Sequence, residues 1–445
     1  MAERLQVIRN GVVVAYLDRR DDGRLALTYA DRAVDVAGGQ VLLSASIPVR
    51  RQPYEEAALQ PFFEGLLPEG LVRERLATRL RLDPTDVFGL LREIGLECAG
   101  AYSIVPDGFD LTVAREEGVE WLSEEQLAEE VRQLAARPLA VEPDKDIRIS
   151  LAGAQDKMAV VLDAGRIGLP RGLAPSTHVL KPASQVVRAS RRRRQLAYPA
   201  LVNNEAFCMR LSRLAGLRTA SVELVQVGGE PALLVERYDR ERDAEGHVSR
   251  IHQEDFCQAL GFPSRLKYEK DGGPGLGDYL DLLARTSSGF DADGRELIDR
   301  AAFNYLVGNA DAHAKNFSIL YGEEVRLAPA YDVLSTYVYG HLSHDMATSI
   351  NGMFDGRAIQ SIHWQKELIR LGLNERYYAQ RLVEVADRVE HVLPTVTAWV
   401  DENGLGDRRL RLVASVVRDR ARVLRQVHTL PARSPRGRDV GSRVR

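Results

Sequence analysis

The period of the hydrophobic pattern changes along this chain, and the order of those changes constrains the fold more than any other feature. Strand-like runs come first: Val12–Leu17, Leu25–Tyr29 and Val41–Leu43, parted by the turn signals Asp22-Gly23 and Gly38-Gly39. From Pro61 the pattern becomes helical, with Phe63, Leu66, Leu67, Leu71 and Leu76 at helical spacing. Asp83-Pro84-Thr85-Asp86 opens a second helix holding Val87, Leu90, Leu91 and Ile94, and Ser123-Glu124-Glu125-Gln126 is a capping box for a third. The acidic stretch Val141–Asp146 reads as a connector. Strands return at Met158–Leu162, His178–Lys181, Val222–Val225 and Ala232–Val235, interrupted by one helix with Phe207, Leu211 and Leu214 on a single face. Beyond Val235 the chain is mainly helical, with one β-like excursion at Phe317–Leu327 and a last long helix near Arg408–His428. No internal repeat is evident. The pattern predicts an α+β protein: a small α+β unit over 1–105, a β-rich lobe with one helix over 106–240, a helical lobe over 241–430, and a disordered Arg-rich tail over 431–445.

Composition narrows the class. The 445 residues suit about two to four domain-sized units. With 45% hydrophobic and 28% charged residues and a net charge of -3, the chain is neither wholly disordered nor collagen-like. No apolar run approaches the roughly 18 residues that span a bilayer, and Met1-Ala2-Glu3-Arg4 lacks the basic-then-apolar start of a secretory signal. Cys98, Cys208 and Cys257 lie far apart with no CxxC spacing, so neither a zinc site nor a disulfide framework is expected, and a reducing compartment fits. Only seven of the 60 basic residues are lysine: Lys145, Lys157, Lys181, Lys267, Lys270, Lys315 and Lys366. A lysine that persists in so arginine-rich a chain points to a place that needs a compact ammonium.

Three segments could carry chemistry. The first is Asp311-Ala312-His313-Ala314-Lys315-Asn316, preceded by a helix with Ala302, Phe303, Leu306 and Val307 on one face and followed, past a short β-hairpin, by Asp332. Phosphoryl transfer needs such a set: one carboxylate to accept the proton of the attacking hydroxyl, then an amide oxygen and a second carboxylate to hold Mg²⁺ ions between phosphates, with Lys315 as a nearby cation. By pattern alone a helix end and a polar hairpin suit these residues equally well. The second is Ser150-Leu151-Ala152-Gly153-Ala154-Gln155-Asp156-Lys157, whose small residues would let backbone N–H groups approach a phosphate; a plain β-turn is the other reading. Ser150 at its edge could itself accept a phosphoryl group. The third is Thr177-His178-Val179-Leu180-Lys181-Pro182, where a strand ends in a single lysine, a point for phosphate contact or an edge lysine facing water. Glu236-Arg237-Tyr238 follows the last strand of the β lobe, where a hinge would offer backbone groups to a base. The run Arg188–Arg194 should be a mobile basic loop. His313 has no partner at zinc-ligand spacing, which favours a phosphate-contacting or structural histidine.

A β lobe followed by a helical lobe is the layout of protein kinases. In order and spacing these segments resemble the HipA family, the serine/threonine kinase toxins of bacterial type II toxin–antitoxin modules. The likeness runs from about Val12 to Val423 and includes Phe63-Glu64-Gly65-Leu66-Leu67-Pro68-Glu69-Gly70, Leu90-Leu91-Arg92-Glu93-Ile94-Gly95, Gln253-Glu254-Asp255-Phe256-Cys257, Asp271-Gly272-Gly273-Pro274-Gly275 and Ser349-Ile350-Asn351-Gly352. The resemblance implies a HipA N-terminal subdomain 1 ahead of a two-lobed kinase core that uses ATP and Mg²⁺. It implies Asp311 as catalytic base, Asn316 and Asp332 as metal ligands, and Lys181 on the nucleotide phosphates. It implies Ala152, Gly153, Ala154, Gln155, Asp156 and Lys157 as phosphate loop, and Glu236, Arg237 and Tyr238 as adenine hinge. His313, Lys315 and Tyr331 would lie near ATP, and Ser150 would be an inhibitory autophosphorylation site, its added charge expelling the loop. It also implies an aminoacyl-tRNA synthetase substrate, the glutamyl enzyme first, whose modification halts translation and favours dormancy. A HipB-like helix-turn-helix antitoxin would tether the toxin to operator DNA, as a heterotetramer with an antitoxin dimer in the bacterial cytoplasm. The rival reading is a catalytically idle nucleotide binder acting as corepressor with that antitoxin.

Overall fold

The computed structural model describes residues 3–37, 41–109, 118–134, 136–141, 149–153, 155–183 and 200–427, together with the backbone of 186–190 and 193–196. The fold is α+β and begins with a five-stranded antiparallel sheet: β1 (Glu3–Arg9), β2 (Val12–Arg19), β3 (Leu25–Tyr29), β4 (Tyr54–Glu55) and β5 (Tyr102–Pro106), in the order β4-β3-β2-β1-β5. Asn10 and Gly11 join β1 to β2 with φ of 50° and 75°, the left-handed pair that a tight hairpin requires. Alternation sends Leu5, Val7, Leu17 and Leu27 into a core completed by Phe62, Phe63 and Leu76 of the helices Glu56–Gly65 and Gly70–Leu80, and by Phe88 and Leu91 of Val87–Ile94.

Two local expectations change here. Val41–Leu43 is not a strand: its carbonyls are taken by side chains, Leu42 O by the Tyr102 hydroxyl and Leu43 O by His252 Nε2 at 2.7 Å, rather than by a neighbouring strand. The helical pattern from Pro61 is two helices, the first already begun at Glu56 with Pro61 inside it. They break at Leu66–Glu69, and that break reaches the functional site.

The second sheet has six strands: β6 (Gly118–Trp121), β7 (Met158–Asp163), β8 (Arg166–Arg171), β9 (His178–Pro182), β12 (Val222–Val227) and β13 (Glu230–Glu236), in the order β12-β13-β9-β7-β8-β6. Met158, Val160, Leu180 and Leu234 extend the first sheet's core without a break, so the two sheets share one hydrophobic interior. The helix Leu201–Leu214 packs against β12 and β13; Phe207 and Leu211 are buried, whereas Leu214 is 44% exposed. Its buried face runs through Asn204, Glu205, Phe207, Cys208, Leu211 and Ser212 instead. Between β9 and this helix, β10 (Val186–Ser190) and β11 (Arg193–Leu196) pair as an antiparallel ribbon; Arg191 and Arg192 of the arginine run lie outside the described residues.

The helical lobe gathers Leu276–Thr286, Phe290–Val307, Ser361–Arg370, Glu375–Glu402 and Arg408–Val427 around a second core. A three-stranded sheet sits on it. Ser318–Tyr321 and Val325–Leu327 form the expected excursion, and His252–Asp255 adds the strand that the sequence pattern did not reveal. Among the described residues no helix is long and apolar enough to cross a membrane, and all three cysteines are free and buried. The connector at 142–146, Ala154 and the tail at 431–445 lie outside the described residues.

Candidate active site

A cavity of about 1140 Å³ lies between the two sheets and the helical lobe. Its ceiling is β9 with Val179 and Lys181 together with the segment after β13, and its floor is the loop after Val307. Gly65 and Glu69 of the N-terminal unit form a third wall.

Lys181 is the last charged residue of β9 and is 8% exposed. Its ammonium donates to Glu205 Oε1 at 2.7 Å and to Asp332 Oδ1 at 2.9 Å. Burial alone would depress its pKa, but the two carboxylates reverse that and hold it above the usual lysine value. Burial likewise opposes ionisation of Asp332, yet Lys181 and then Lys157 bring its pKa down to about 2. Asp332 sits at φ 56°, a left-handed conformation costly for a residue with a Cβ. Glu205 is completely buried, and its Oε2 has no hydrogen-bond partner among the described residues.

The loop opposite is closed by its own polar side chains. Gly308 at φ 73° ends the helix Phe290–Val307. Asn309 then accepts the Asp311 N–H at 3.1 Å, and Thr336 Oγ1 accepts that of Ala310 at 2.9 Å. Asn316 Nδ2 donates to the Asp311 carbonyl at 2.9 Å, which leaves Oδ1 as the free end of its amide. The Tyr268 hydroxyl donates to Asp311 Oδ1. Burial raises the Asp311 pKa, Tyr268 counteracts it, and the nearby Asp332 charge raises it further. His313 is buried and stays neutral, its pKa lowered by burial and by Lys267 to about 3, and its Nδ1 has no partner among the described residues.

Lys315 does not stand free beside this loop. Its ammonium is tied to Asp255 at 2.8 Å, to the Gly65 carbonyl at 3.3 Å and to Glu69 at 3.7 Å. Lys267 meets the other oxygen of Glu69 at 2.6 Å. Tyr331 donates to the Lys315 carbonyl at 2.7 Å, and its ring lies 5.7 Å from that of Tyr238.

The small-residue loop is clipped to the N-terminal unit. Ser150 is fully buried and donates to Leu66 O at 2.6 Å. Glu69 N–H donates to Gly153 O at 3.0 Å, and Pro68 pairs with Gly153 as a parallel bridge. Gly153 has φ 104°, and a Cβ there would stand 2.7 Å from Lys157 Nζ. Lys157 donates to the Ala152 carbonyl, and burial followed by the Lys181 charge lowers its pKa to about 8. Gln155 and Asp156 line the same cavity, and Gln155 Nε2 is buried without a partner among the described residues.

At the expected hinge the N–H groups of Glu236 and Arg237 are already given to Ser221 O and Thr177 O. The Tyr238 N–H has no acceptor among the described residues. The Arg237 side chain turns away into a buried pair with Glu97 at 3.2 Å and Asp239 at 2.8 Å. It is a structural anchor rather than a group offered to a ligand.

The structure therefore gathers Asp311, His313, Lys315, Asn316, Tyr331, Asp332, Lys181, the described part of 152–157 and 236–238 around one cavity. Sequence reasoning missed Glu205, Glu69, Asp255, Lys267 and Tyr268. For Glu205 a signal existed, a glutamate within the apolar face of the helix that follows the strand lysine. The others pair across distant parts of the chain.

A strand lysine bridging a helix glutamate and a loop aspartate, across from a loop with an aspartate and asparagine five apart, defines the class: a two-lobed protein-kinase core. Comparison with known proteins gives the family. The HipA N-terminal domain family matches residues 5–105, and the HipA-like C-terminal domain family matches residues 149–393. The chain is 36% identical over 425 residues to Y4mE of Sinorhizobium fredii, named there as a candidate kinase, covering 95% of this chain and 98% of that one. It is 30% identical over 348 residues to the serine/threonine-protein kinase toxin HipA of Shewanella oneidensis, covering 75% and 76%. A solved structure of Shewanella oneidensis HipA with HipB and operator DNA superposes with a TM-score of 0.81 at 26% identity, over 96% of this chain and all of that one. The chain belongs to the HipA family of serine/threonine kinase toxins, and it is a protein kinase.

Proposed function

We propose that this kinase transfers the γ-phosphoryl group of ATP, with Mg²⁺, to serine of a protein. Asp311 is the base, Asn316 and Asp332 are the metal ligands, and Lys181 holds nucleotide phosphates. The observation that carries this reading is the Lys181 ammonium, bound to both Glu205 and Asp332 at the cavity wall. The donors suit a hard divalent cation: the Asp332 carboxylate is kept ionised, and Asn316 has Oδ1 to give because Nδ2 is committed to Asp311. The metal supplies charge neutralisation between phosphates. Asp311 accepts the proton of the attacking hydroxyl. The loop 152–157 offers its backbone and Gln155 to the phosphates, with Lys157 beside them. Tyr238 and Tyr331 flank the place for adenine, with the Tyr238 N–H as hinge donor. The Glu205 contact keeps the Lys181 ammonium in register.

In this reading Ser150 is the site of inhibitory autophosphorylation. Its hydroxyl lies buried on Leu66 O, so the loop must leave Leu66 and Glu69 before that serine can react. The added charge of about -2 then keeps the loop from closing over ATP. The protein substrate is an aminoacyl-tRNA synthetase, the glutamyl enzyme first, with arrested translation and dormancy as the outcome. The solved relative with HipB and operator DNA supports a helix-turn-helix antitoxin as partner, reaching DNA through a heterotetramer in the cytoplasm.

The test is Asp311→Asn with γ-labelled ATP. It should abolish labelling of Ser150 and of protein substrate while ATP affinity stays within about twofold. Undiminished labelling would sink the assignment of the base.

A further inference from the structure

Two glycine-containing motifs find no place in the machinery above: Asp271-Gly272-Gly273-Pro274-Gly275 and Ser349-Ile350-Asn351-Gly352. Both act on one short segment, Lys267–Lys270, at the edge of the cavity. Its four consecutive side chains are tied to three parts of the molecule, Glu269 and Lys270 both to the strand Asp345–Ile350. Lys267 goes to Glu69 at 2.6 Å, Tyr268 to Asp311, and Lys270 to Asp345. Glu269 accepts both the N–H and the hydroxyl of Ser349, at 2.6 and 2.9 Å.

The glycines make this arrangement possible. A Cβ on Gly273 would lie 1.9 Å from Leu266 O and 2.8 Å from Tyr268 O, so only glycine lets the chain fold back there. The Gly273 N–H then donates to Tyr268 O at 2.9 Å. A Cβ on Gly275 would stand 2.8 Å from the Glu269 carboxyl carbon. Gly352 N–H donates to Ser349 Oγ at 3.3 Å, turning that serine toward Glu269. The Lys267 carbonyl accepts from Ala314 N–H at 3.2 Å, which docks the segment on the catalytic loop itself. The Tyr268 ring packs edge-on against His313 at 5.1 Å. The result is a strap whose one hydroxyl sits on an oxygen of the proposed base.

From this geometry we infer that Tyr268 is a positioning residue that gates the acceptor side: its phenol occupies, on Asp311, the place that an acceptor hydroxyl must take. The inference rests on Asp311 being the base. During transfer the acceptor O–H gives its proton to Asp311 while its oxygen bonds the γ-phosphorus. The bond from that phosphorus to the β,γ-bridging oxygen breaks, and ADP leaves. A tyrosine already donating to Asp311 denies that position to water, so ATP is not wasted by hydrolysis. A protein acceptor whose docking displaces the strap regains it. Burial and then the Asp311 charge keep the phenol protonated, so it remains a donor.

The experiment uses the full chain with Mg²⁺ and ATP and no protein acceptor, measuring phosphate release against ATP concentration. Tyr268→Phe should raise the maximal rate of hydrolysis about three- to tenfold, the effect of losing one competing hydrogen bond, with the KM for ATP unchanged. Glu269→Gln, which loosens the strap but keeps the phenol, should raise it less. Asp311→Asn should release no phosphate above the buffer rate. If Tyr268→Phe is as slow as or slower than the wild type while Asp311→Asn is silent, the gate is wrong and the base assignment stands. If Asp311→Asn hydrolyses ATP like the wild type, the base assignment fails and the gate with it.

Discussion

Two clusters of buried charge in this chain use the same ingredients to opposite ends. Around Arg237 two arginines meet two acids. Glu97 takes Arg237 at 3.2 Å and Arg240 at 3.0 Å, and Asp239 takes Arg237 at 2.8 Å and Arg240 at 3.0 Å. The Ser176 hydroxyl adds to the same oxygen of Glu97 and the Gly100 N–H adds to Asp239, while Glu97 Oε2 has no partner among the described residues. Each of these four charged side chains is 5% exposed or less, and Arg250 adds a further cation beside Glu97. Around Lys181 one ammonium serves two carboxylates, with Lys157 as a second cation nearby. Asp332 remains 37% exposed and lines the cavity. A closed cluster fixes a junction: here it pins the segment after β13 to Glu97 and Gly100 of the N-terminal unit. One that opens on a cavity has capacity left for a ligand.

The largest effect that would break this contrast is at Asp332. Asp332→Asn should lower phosphoryl transfer on the order of 10³-fold while leaving the thermal midpoint nearly unchanged; a large fall in thermal stability would place Asp332 in the structural class. The reverse pattern is expected for Glu97→Ala. Removing one acid leaves the buried Arg237 and Arg240 to share Asp239 alone and should cost about 3–5 kcal/mol in denaturant unfolding. The turnover of the folded fraction should stay within about threefold of wild type.

The same residue gives the contrast a pH signature. Burial works against the Glu97 carboxylate, but Arg250, Arg237 and Arg240 hold its pKa down to about 2. Its contribution is complete above the unfolded value of about 4.3 and is lost as pH falls toward 2. Glu97→Gln should therefore remove the part of the acid limb that lies between those values. The smallest effect sharpens the comparison from the other side. Lys181→Arg keeps the charge, but a longer, planar guanidinium does not fit where a compact ammonium lies 2.7 and 2.9 Å from its two acids, so ATP-dependent transfer should drop about tenfold. Equal activity of Lys181→Arg and wild type would show that charge alone is required there.

Much of this was legible in the chain, for reasons that differ from place to place. The aspartate and asparagine of 311–316 share a short loop between a glycine-capped helix and a strand, so their spacing already dictated their proximity. The lysine at the end of β9 was legible because strand pattern and an arginine-dominated composition both marked it. Arg237 shows the limit. Its position after β13 was readable, but its side chain turned away because Glu97 lies across the junction. Lys315 was expected as a cation near the loop and lines the cavity, but that Asp255 and Glu69 hold its ammonium was not readable. The strand Val41–Leu43 failed for the same reason, since Tyr102 and His252 captured the carbonyls that a strand neighbour would have used.

The sequence by itself determined the α+β class, the closeness of Asp311 and Asn316, and the strand that ends in Lys181. These follow from hydrophobic period and from spacings short enough for local geometry to rule. Only the tertiary structure decided that Glu205 and Asp332 hold that lysine, that Glu69 meets Gly153, and that Tyr268 rests on Asp311. Lys267 and Glu69 are 198 positions apart, and Lys181 and Asp332 151. Contacts that distant are set by how packed cores bring loops together, and no local pattern of residues encodes them.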